Sequence, residues 1–188
     1  PVQLLADARK SIVADKPGAI FKRDYEYVRG GTANVFCAVE PKAGRHFTRV
    51  TKNRKGPAFA KMVSRIARAY PGRKTVHLVM DNLSTHGQKS LTDFYGEKLG
   101  EKIWGKFTPH YTPKHASWLD QAEIEIGIFS RQCLGKDRIG SIPALRRRAS
   151  AWNRRMNRQR RKINWRFTAL DARKKFRYKS IGFIKPEH

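Results

Sequence analysis

Eight residues, Thr75 to Asn82, constrain this chain most: TVHLVMDN, a short apolar run that ends in an acid. Val76, Leu78, Val79 and Met80 give four apolar positions in five, and Tyr70-Pro71-Gly72 breaks the chain just upstream. A run so short and so closely bounded predicts a strand buried on both faces rather than a helix. Asp81 then falls where the strand leaves the core, and Asn82-Leu83-Ser84-Thr85 turns the chain toward the next helix. In open α/β sheets the carboxyl ends of strands hold ligands and metals. On this stretch alone Asp81 reads equally as a turn residue capping the following helix and as a catalytic acid.

The segments around it set the fold class. Residues 2–12 read as the close of a strand entering a loop, and Lys16-Pro17-Gly18 and Arg29-Gly30-Gly31 as turns. Ala33 to Val39 reads as a strand, Glu40 to Gly44 as a turn, and Arg45 to Thr51 as the hairpin partner. Pro57 opens a helix with Phe59, Met62, Val63, Ile66 and Ala69 on one stripe, and Pro71-Gly72 closes it. Beyond the acid-bearing strand the pattern predicts a helix over about 87–99, a short strand from Ile103 to Phe107 and an irregular loop from Thr108 to His115. Helices are then expected over about 118–134 and 142–161, the second carrying Ile142, Leu145, Ala149, Trp152 and Met156 at steps of three and four. A hairpin, alternating helix and strand, then helices, means α/β with a mixed sheet. At 188 residues, one domain with a real core is expected.

Charge narrows the partner. Against 15 acids stand 41 Lys and Arg, a net +26. Such an excess repels itself unless a polyanion takes it up, so nucleic acid is the expected partner. From residue 146 onward sixteen Lys or Arg face only Asp171 and Glu187, and Arg154, Arg155, Arg158, Arg160, Arg161 and Lys162 form a dense run expected to bind DNA. The interleaved Trp152, Trp165, Phe167, Phe176, Tyr178 and Phe183 read either as anchors for this basic segment or as stacking platforms. No apolar span approaches the roughly 18 residues of a membrane helix. No signal peptide is expected, and with Cys37 and Cys133 read as free thiols the expected location is cytoplasmic.

A second acid follows the Pro-rich loop. Ser117 suits an N-cap, and the acids after it suit the positive end of a helix. At about 100° per residue, Leu119, Ala122, Ile126, Phe129 and Cys133 define an inward stripe, with Glu123 inside that arc and Glu125 facing water. An inward acid is costly unless paired or bound to a cation, so Glu123 is either half of a buried salt bridge with one of the many arginines or a metal ligand. Asp81 and Glu123 together, without organised Cys or His, would select Mg²⁺ or Mn²⁺. Sites acting on phosphodiesters commonly hold two such ions about 3.5–4 Å apart, so a third acid is expected. His77 and His110 show no metal-ligand spacing, which argues against zinc.

Three ordered segments carry a family likeness: DYEYVRGGTANVF (24–36), HLVMDNLSTH (77–86) and PKHASWLDQAEIE (113–125). They resemble the catalytic region of DDE-type insertion-sequence transposases, in the bacterial branch related to the Tc/mariner superfamily. The likeness runs on through RQCLGKDRI (131–139), AWNRRMN (151–157) and INWRFTALDARKKF (163–176), nearly the whole chain. It implies a ribonuclease H-like mixed sheet flanked by helices, a two-metal acid triad using Mg²⁺ or Mn²⁺, and DNA strand cleavage and strand transfer at transposon ends. Double-stranded DNA, both transposon ends and target, is the implied partner; paired ends imply a homodimer, and the setting is the bacterial nucleoid. Carried over, Asp81 is the second triad acid and Glu123 the third. Asn82, His86, Lys114, His115 and Ser117 fall on motif positions beside them, where they contact phosphate, orient the acids or make structural hydrogen bonds. Asp120 stands where the family usually carries Asn.

The front of the chain departs from the pattern. The family's first triad Asp lies in an Asp-Glu pair just before the segment matching Pro1-Val2-Gln3-Leu4-Leu5, and neither Asp7 nor Asp24 occupies that position. The expectation is a piece with its first strand truncated, without the N-terminal helix-turn-helix and with little activity of its own. Residues 1–161 then form the catalytic domain and 162–188 a basic tail. The competing reading is a non-catalytic nucleic-acid-binding module derived from a transposase. A cellular nuclease on the same fold is a third, and a ribosomal or histone-like protein would leave the two motif-placed acids unexplained.

Overall fold

A computed structural model describes residues 1–10, 24–112, 121–164, 166 and 168–176. Strands β1 (Val2–Asp7), β2 (Tyr27–Glu40) and β3 (Arg45–Thr51) come first, followed by helix α1 (Gly56–Ala69). Then come β4 (Val76–Met80), α2 (Gln88–Tyr95), α3 (Glu97–Trp104) and β5 (Phe107–Tyr111). Helix α4 (Gln121–Phe129) runs into a π-helical turn (Ser130–Leu134), and α5 (Ile142–Gln159) and α6 (Ala169–Phe176) complete the order. The fold is mixed α/β, as the sequence pattern implies.

The strands form two sheets rather than one mixed sheet among the described residues. One is antiparallel, ordered β1-β2-β3; the other is a parallel pair, β4-β5, in register from Val76↔Phe107 to Met80↔Tyr111. Strand β2 divides its length, pairing with β1 through Tyr27–Ala33 and with β3 through Asn34–Glu40. The edge of its second half away from β3 therefore carries no strand among the described residues, and a cleft lies between it and β4. Accordingly β4 is not buried on both faces: Met80 is buried and Val76 and Leu78 partly so, while His77 and Val79 are exposed.

Other boundaries moved for identifiable reasons. Arg29-Gly30-Gly31 lies inside β2, not in a turn. There Gly30 lets the Gly140 carbonyl approach to where a Cβ would lie only 2.5 Å from it, and β1 absorbs an irregularity between Gln3 and Leu5. The single helix expected over 87–99 is broken at Gly96, whose φ of 81° a helix cannot take. Residues Ile103 and Trp104 end α3, and the strand instead uses Phe107 to Tyr111, read from the sequence as mostly loop. Pro109 is tolerated there because, among the described residues, β5 pairs only with β4, and an edge strand can spare an amide donor.

Two cores share β3 as a wall. Alternate side chains of a strand point to opposite faces. Val50 joins Leu4, Phe129, Leu145, Ala149, Trp152 and Met156 beneath α4 and α5, while Phe47 joins Phe59, Val63, Ile66, Met80, Leu91 and Phe107 around α1. The apolar stripes expected for α1 and α5 are the buried ones, and Ser141 caps α5 by accepting from the Ala144 amide at 3.3 Å. Trp152 is a packing residue, 4% exposed; Trp165, Phe167, Tyr178 and Phe183 lie outside the described residues.

Candidate active site

The end of β4 delivers Asp81. The Thr112 amide donates to the Met80 carbonyl at 3.0 Å, so the strand pairing holds to its last residue, and Asp81 emerges with its side chain 56% exposed. The next five residues fold back on themselves. The His86 amide donates to the Leu83 carbonyl at 2.7 Å, and the Ser90 hydroxyl closes on the Thr85 carbonyl at 2.7 Å. This turn brings the His86 ring onto Phe59, stacked with centroids 4.6 Å apart, while Tyr111 donates to the His86 carbonyl at 3.2 Å. So held, His86 Nδ1 lies 2.5 Å from Asp81 Oδ1. The carboxylate can only accept, so Nδ1 carries the proton, and the buried Nε2 has no hydrogen-bond partner among the described residues. Asn82 is exposed beside this pair.

Glu123 lines the same cleft from another element. It sits in the first turn of α4, where a helix N-terminus favours a carboxylate, and it lines with Asp81 and His86 a cleft of about 610 Å³. The other walls are β2 from Asn34 to Val39, α1 through Phe59 and Met62, and Arg54. Arg54 escaped the sequence reading, as one cation among 41 Lys and Arg.

The helix carrying Glu123 is rotated from expectation. Glu125, expected in water, is 5% exposed; Glu123, expected on the inward face, is exposed; Ile126, expected inside, is 47% exposed. The buried pair belongs to Glu125 rather than Glu123, and its partner is His46 rather than the expected arginine, with Oε2 and Nε2 2.8 Å apart. The periodicity had fixed the angles between these residues but not which way the helix faces.

The donor set fits a hard divalent cation in kind. Both cleft acids offer oxygen ligands, and His86 supplies the kind of outer partner that orients a ligating carboxylate. In number it is short: among the described residues no group of three or more His, Cys, Asp or Glu is placed to hold an ion. Asp7 pairs with Arg138 at 3.0 Å and Asp24 with Arg9 at 3.6 Å, and neither is among the cleft-lining residues. His77 and His110 meet across β4 and β5 with Nδ1 and Nε2 2.9 Å apart, two imidazoles sharing one hydrogen bond. Lys114, His115 and Ser117, together with Trp118 and Asp120, lie outside the described residues.

The basic run is solvent-facing. Arg154, Arg155 and Arg158 lie on the open face of α5, and Arg160, Arg161 and Lys162 follow its end; all are exposed. Gly44 fixes this exit: a Cβ there would lie 2.5 Å from the Arg160 carbonyl carbon and the Arg161 oxygen, and the Ile163 amide donates to Pro41 at 2.9 Å. No helix among the described residues is long and apolar enough to cross a membrane.

Cys37 and Cys133 are free thiols. Cys37 lines the cleft, and burial first, then the Glu125 carboxylate and Cys133, push its pKa up from 9.0 to about 12. Burial, then the hydrogen bond its hydroxyl donates to Glu40, likewise pushes Tyr70 from 10.0 to about 12. Both raised values mean the fold prefers the neutral group. Their stabilising contribution is intact below pH 9 and is lost as pH climbs toward about 12. Urea midpoints are therefore expected to fall between pH 9 and 11, and to fall less in Cys37→Ala; an equal fall in that variant would remove Cys37 from the account.

Comparison with curated proteins and with solved structures found no significant match. The family model described as DDE superfamily endonuclease matches residues 3–146, spanning the acid-bearing strand, the cleft and the helix of the second acid. The chain belongs to that family.

Proposed function

We propose that this chain is the catalytic region of a DDE-type insertion-sequence transposase, of the bacterial branch related to Tc/mariner elements. Its reaction is metal-dependent strand cleavage and strand transfer at transposon ends. The observation that supports this most is the meeting of Asp81 and Glu123 in one cleft from separate elements, a strand end and a helix start. Members of the superfamily generally use divalent metals. Asp81 and Glu123 would hold Mg²⁺ or Mn²⁺, whose chemistry is to activate an attacking oxygen and to stabilise a leaving one. His86 holds and aims the Asp81 carboxylate through their hydrogen bond, with no role at the phosphodiester itself. Arg54 is placed to meet a phosphate entering the cleft. A third carboxylate is needed to complete a two-metal site, and Lys114, His115, Ser117 and Asn82 are assigned to the surroundings of the acids on their motif positions.

The arginine run from Arg154 to Arg161, with Lys162, is the proposed path of the DNA backbone, acting on transposon ends and target as a homodimer in the nucleoid. We assign residues 1–161 to the catalytic domain and 162–188 to a basic tail. The test is Mg²⁺- or Mn²⁺-dependent nicking of transposon-end duplexes by the full-length protein. Nicking and joined products support the transposase, nicking without joining supports a cellular nuclease, and tight binding without nicking supports a DNA-binding module. Replacing Arg154, Arg155, Arg158, Arg160 and Arg161 by Gln is expected to weaken duplex binding and to flatten its salt dependence, by about 0.9 in log–log slope per lost phosphate contact. An unchanged slope, read from binding titrations across salt, would move the DNA path elsewhere.

A further inference from the structure

Helix α4 meets the core apolarly at its C-terminal end, where Phe129 is buried and Ile128 packs partly buried against the same cluster. Of its nine residues only Glu125 and Phe129 are buried, while Ile124 and Ile126 are each 47% exposed. Near the start of the helix, hydrophobic burial alone would favour an isoleucine over a carboxylate on the inward face. Phe129, one turn on, shares the face of Glu125 and anchors the far end, and the Glu125–His46 pair is the directional contact that fixes the near end.

His46 is itself fixed from several sides. Its Nδ1 lies 3.2 Å from the Gly44 carbonyl, to which it must donate. The Asn157 side chain brackets its backbone, accepting from the amide at 2.7 Å and donating to the carbonyl at 2.9 Å, as a neighbouring strand would. The Trp152 ring meets the imidazole edge-on at 5.7 Å. Nε2 is left for Glu125, with the two side chains 3% and 6% exposed. Whichever of the two atoms carries the proton between them, one short bond satisfies both buried groups, and breaking it would leave both unpaired in a dry interior.

Rotation of α4 is thereby tied to rotation of Glu123. Two residues along a helix turn by about 200°, so positions i and i+2 never share a face. With Glu125 pinned inward, Glu123 must point away from the core, and it lines the cleft that Asp81 also lines. Resting on the reading of Glu123 as a cleft carboxylate, we propose that Glu125 and His46 are positioning residues. Their buried pair sets the roll of α4 and so the aim of Glu123 toward the Asp81 side of the cleft.

The decisive experiment reads the roll directly. Spin labels at Gln88→Cys and Glu123→Cys, in a Cys37→Ala/Cys133→Ala background, report the α2–α4 distance by pulsed electron paramagnetic resonance. The apolar pair His46→Leu/Glu125→Met removes the directional bond without stranding a buried charge, which keeps the chain folded where a single truncation would not; circular dichroism confirms folding. One narrow distance is expected in the parent and in Glu125→Gln, whose amide still bonds His46, and a shifted or broadened distribution in the apolar pair. An identical narrow distance in the apolar pair overturns the proposal. Mn²⁺ titration of the unlabelled proteins separates this from the reading beneath it. Affinity should drop roughly 10-fold or more in the apolar pair, the scale of losing an outer partner of a metal ligand, and stay near the parent value in Glu125→Gln. A parent that binds no Mn²⁺, with the label distance still dependent on the pair, would overturn Glu123 as a ligand and leave the pair's control of the roll standing.

Discussion

Asp81→Asn and Glu123→Gln should each abolish Mn²⁺-dependent nicking by the full-length protein while leaving its affinity for duplex DNA unchanged. Both substitutions preserve shape and remove one ligand charge. Neither side chain supports the fold: Asp81 is 56% exposed on its side chain, and Glu123 is exposed at the start of α4. Stability should therefore stay within about 0.5 kcal/mol of the parent, as for other surface changes. The loss in metal affinity should exceed the roughly 10–100-fold typical of an outer-shell partner, and His86→Ala, which strips Asp81 of its 2.5 Å hydrogen bond, should fall within that smaller range. Calorimetric Mn²⁺ titration and a nicking assay on the same preparations provide the check. Full nicking by either acid variant would remove it from the metal site, and a loss of DNA binding alongside nicking would mean the substitution had damaged more than a ligand.

The largest effect on stability is expected from Trp152→Ala. Truncating a buried tryptophan costs about 3–5 kcal/mol, against the 5–15 kcal/mol that holds a typical domain together. Trp152 is 4% exposed, stands edge-on to both Phe129 at 5.1 Å and His46 at 5.7 Å, and its indole N–H donates to Gln132 at 3.1 Å. Its removal opens a cavity between α5, the end of α4 and β3, and it also withdraws a wall from the His46–Glu125 pair. The variant should therefore unfold at much lower urea and show earlier amide exchange in α4. Arg154→Ala, two positions along the same helix but exposed, is the control and should be nearly silent. Equal midpoints for the two would show that the core beneath α5 is not where the stability resides.

Much of this was written locally. The acid at the end of an apolar strand, the hairpin of β2 and β3, and the stripes of α1 and α5 all follow from patterns within one element, where period and breakers suffice. Charge pointed to a nucleic-acid partner in the same way, because net charge needs no coordinates. The likeness in the segments around Asp81 and Glu123 pointed to the DDE superfamily, which the match over residues 3–146 bears out. Strand pairing was less legible. A short strand with a proline in it, Phe107 to Tyr111, reads as loop until a parallel neighbour is there to pair with it, and the separation of β4-β5 from β1-β2-β3 leaves no mark on either sequence.

The sharpest division falls within three residues of α4. The sequence by itself determined that Glu123 and Glu125 point in nearly opposite directions, since helical geometry fixes the angle between them. It did not determine which one is buried. Judged by apolar residues alone, the inward side contained Ile126, and Glu125 belonged to water. Only the tertiary structure brought His46, 79 positions earlier in the chain, to within 2.8 Å of Glu125. A relative angle is a local property of the backbone, but an absolute orientation is set by whatever packs against it. Here that partner is a histidine on a distant strand, already held by Gly44, Asn157 and Trp152.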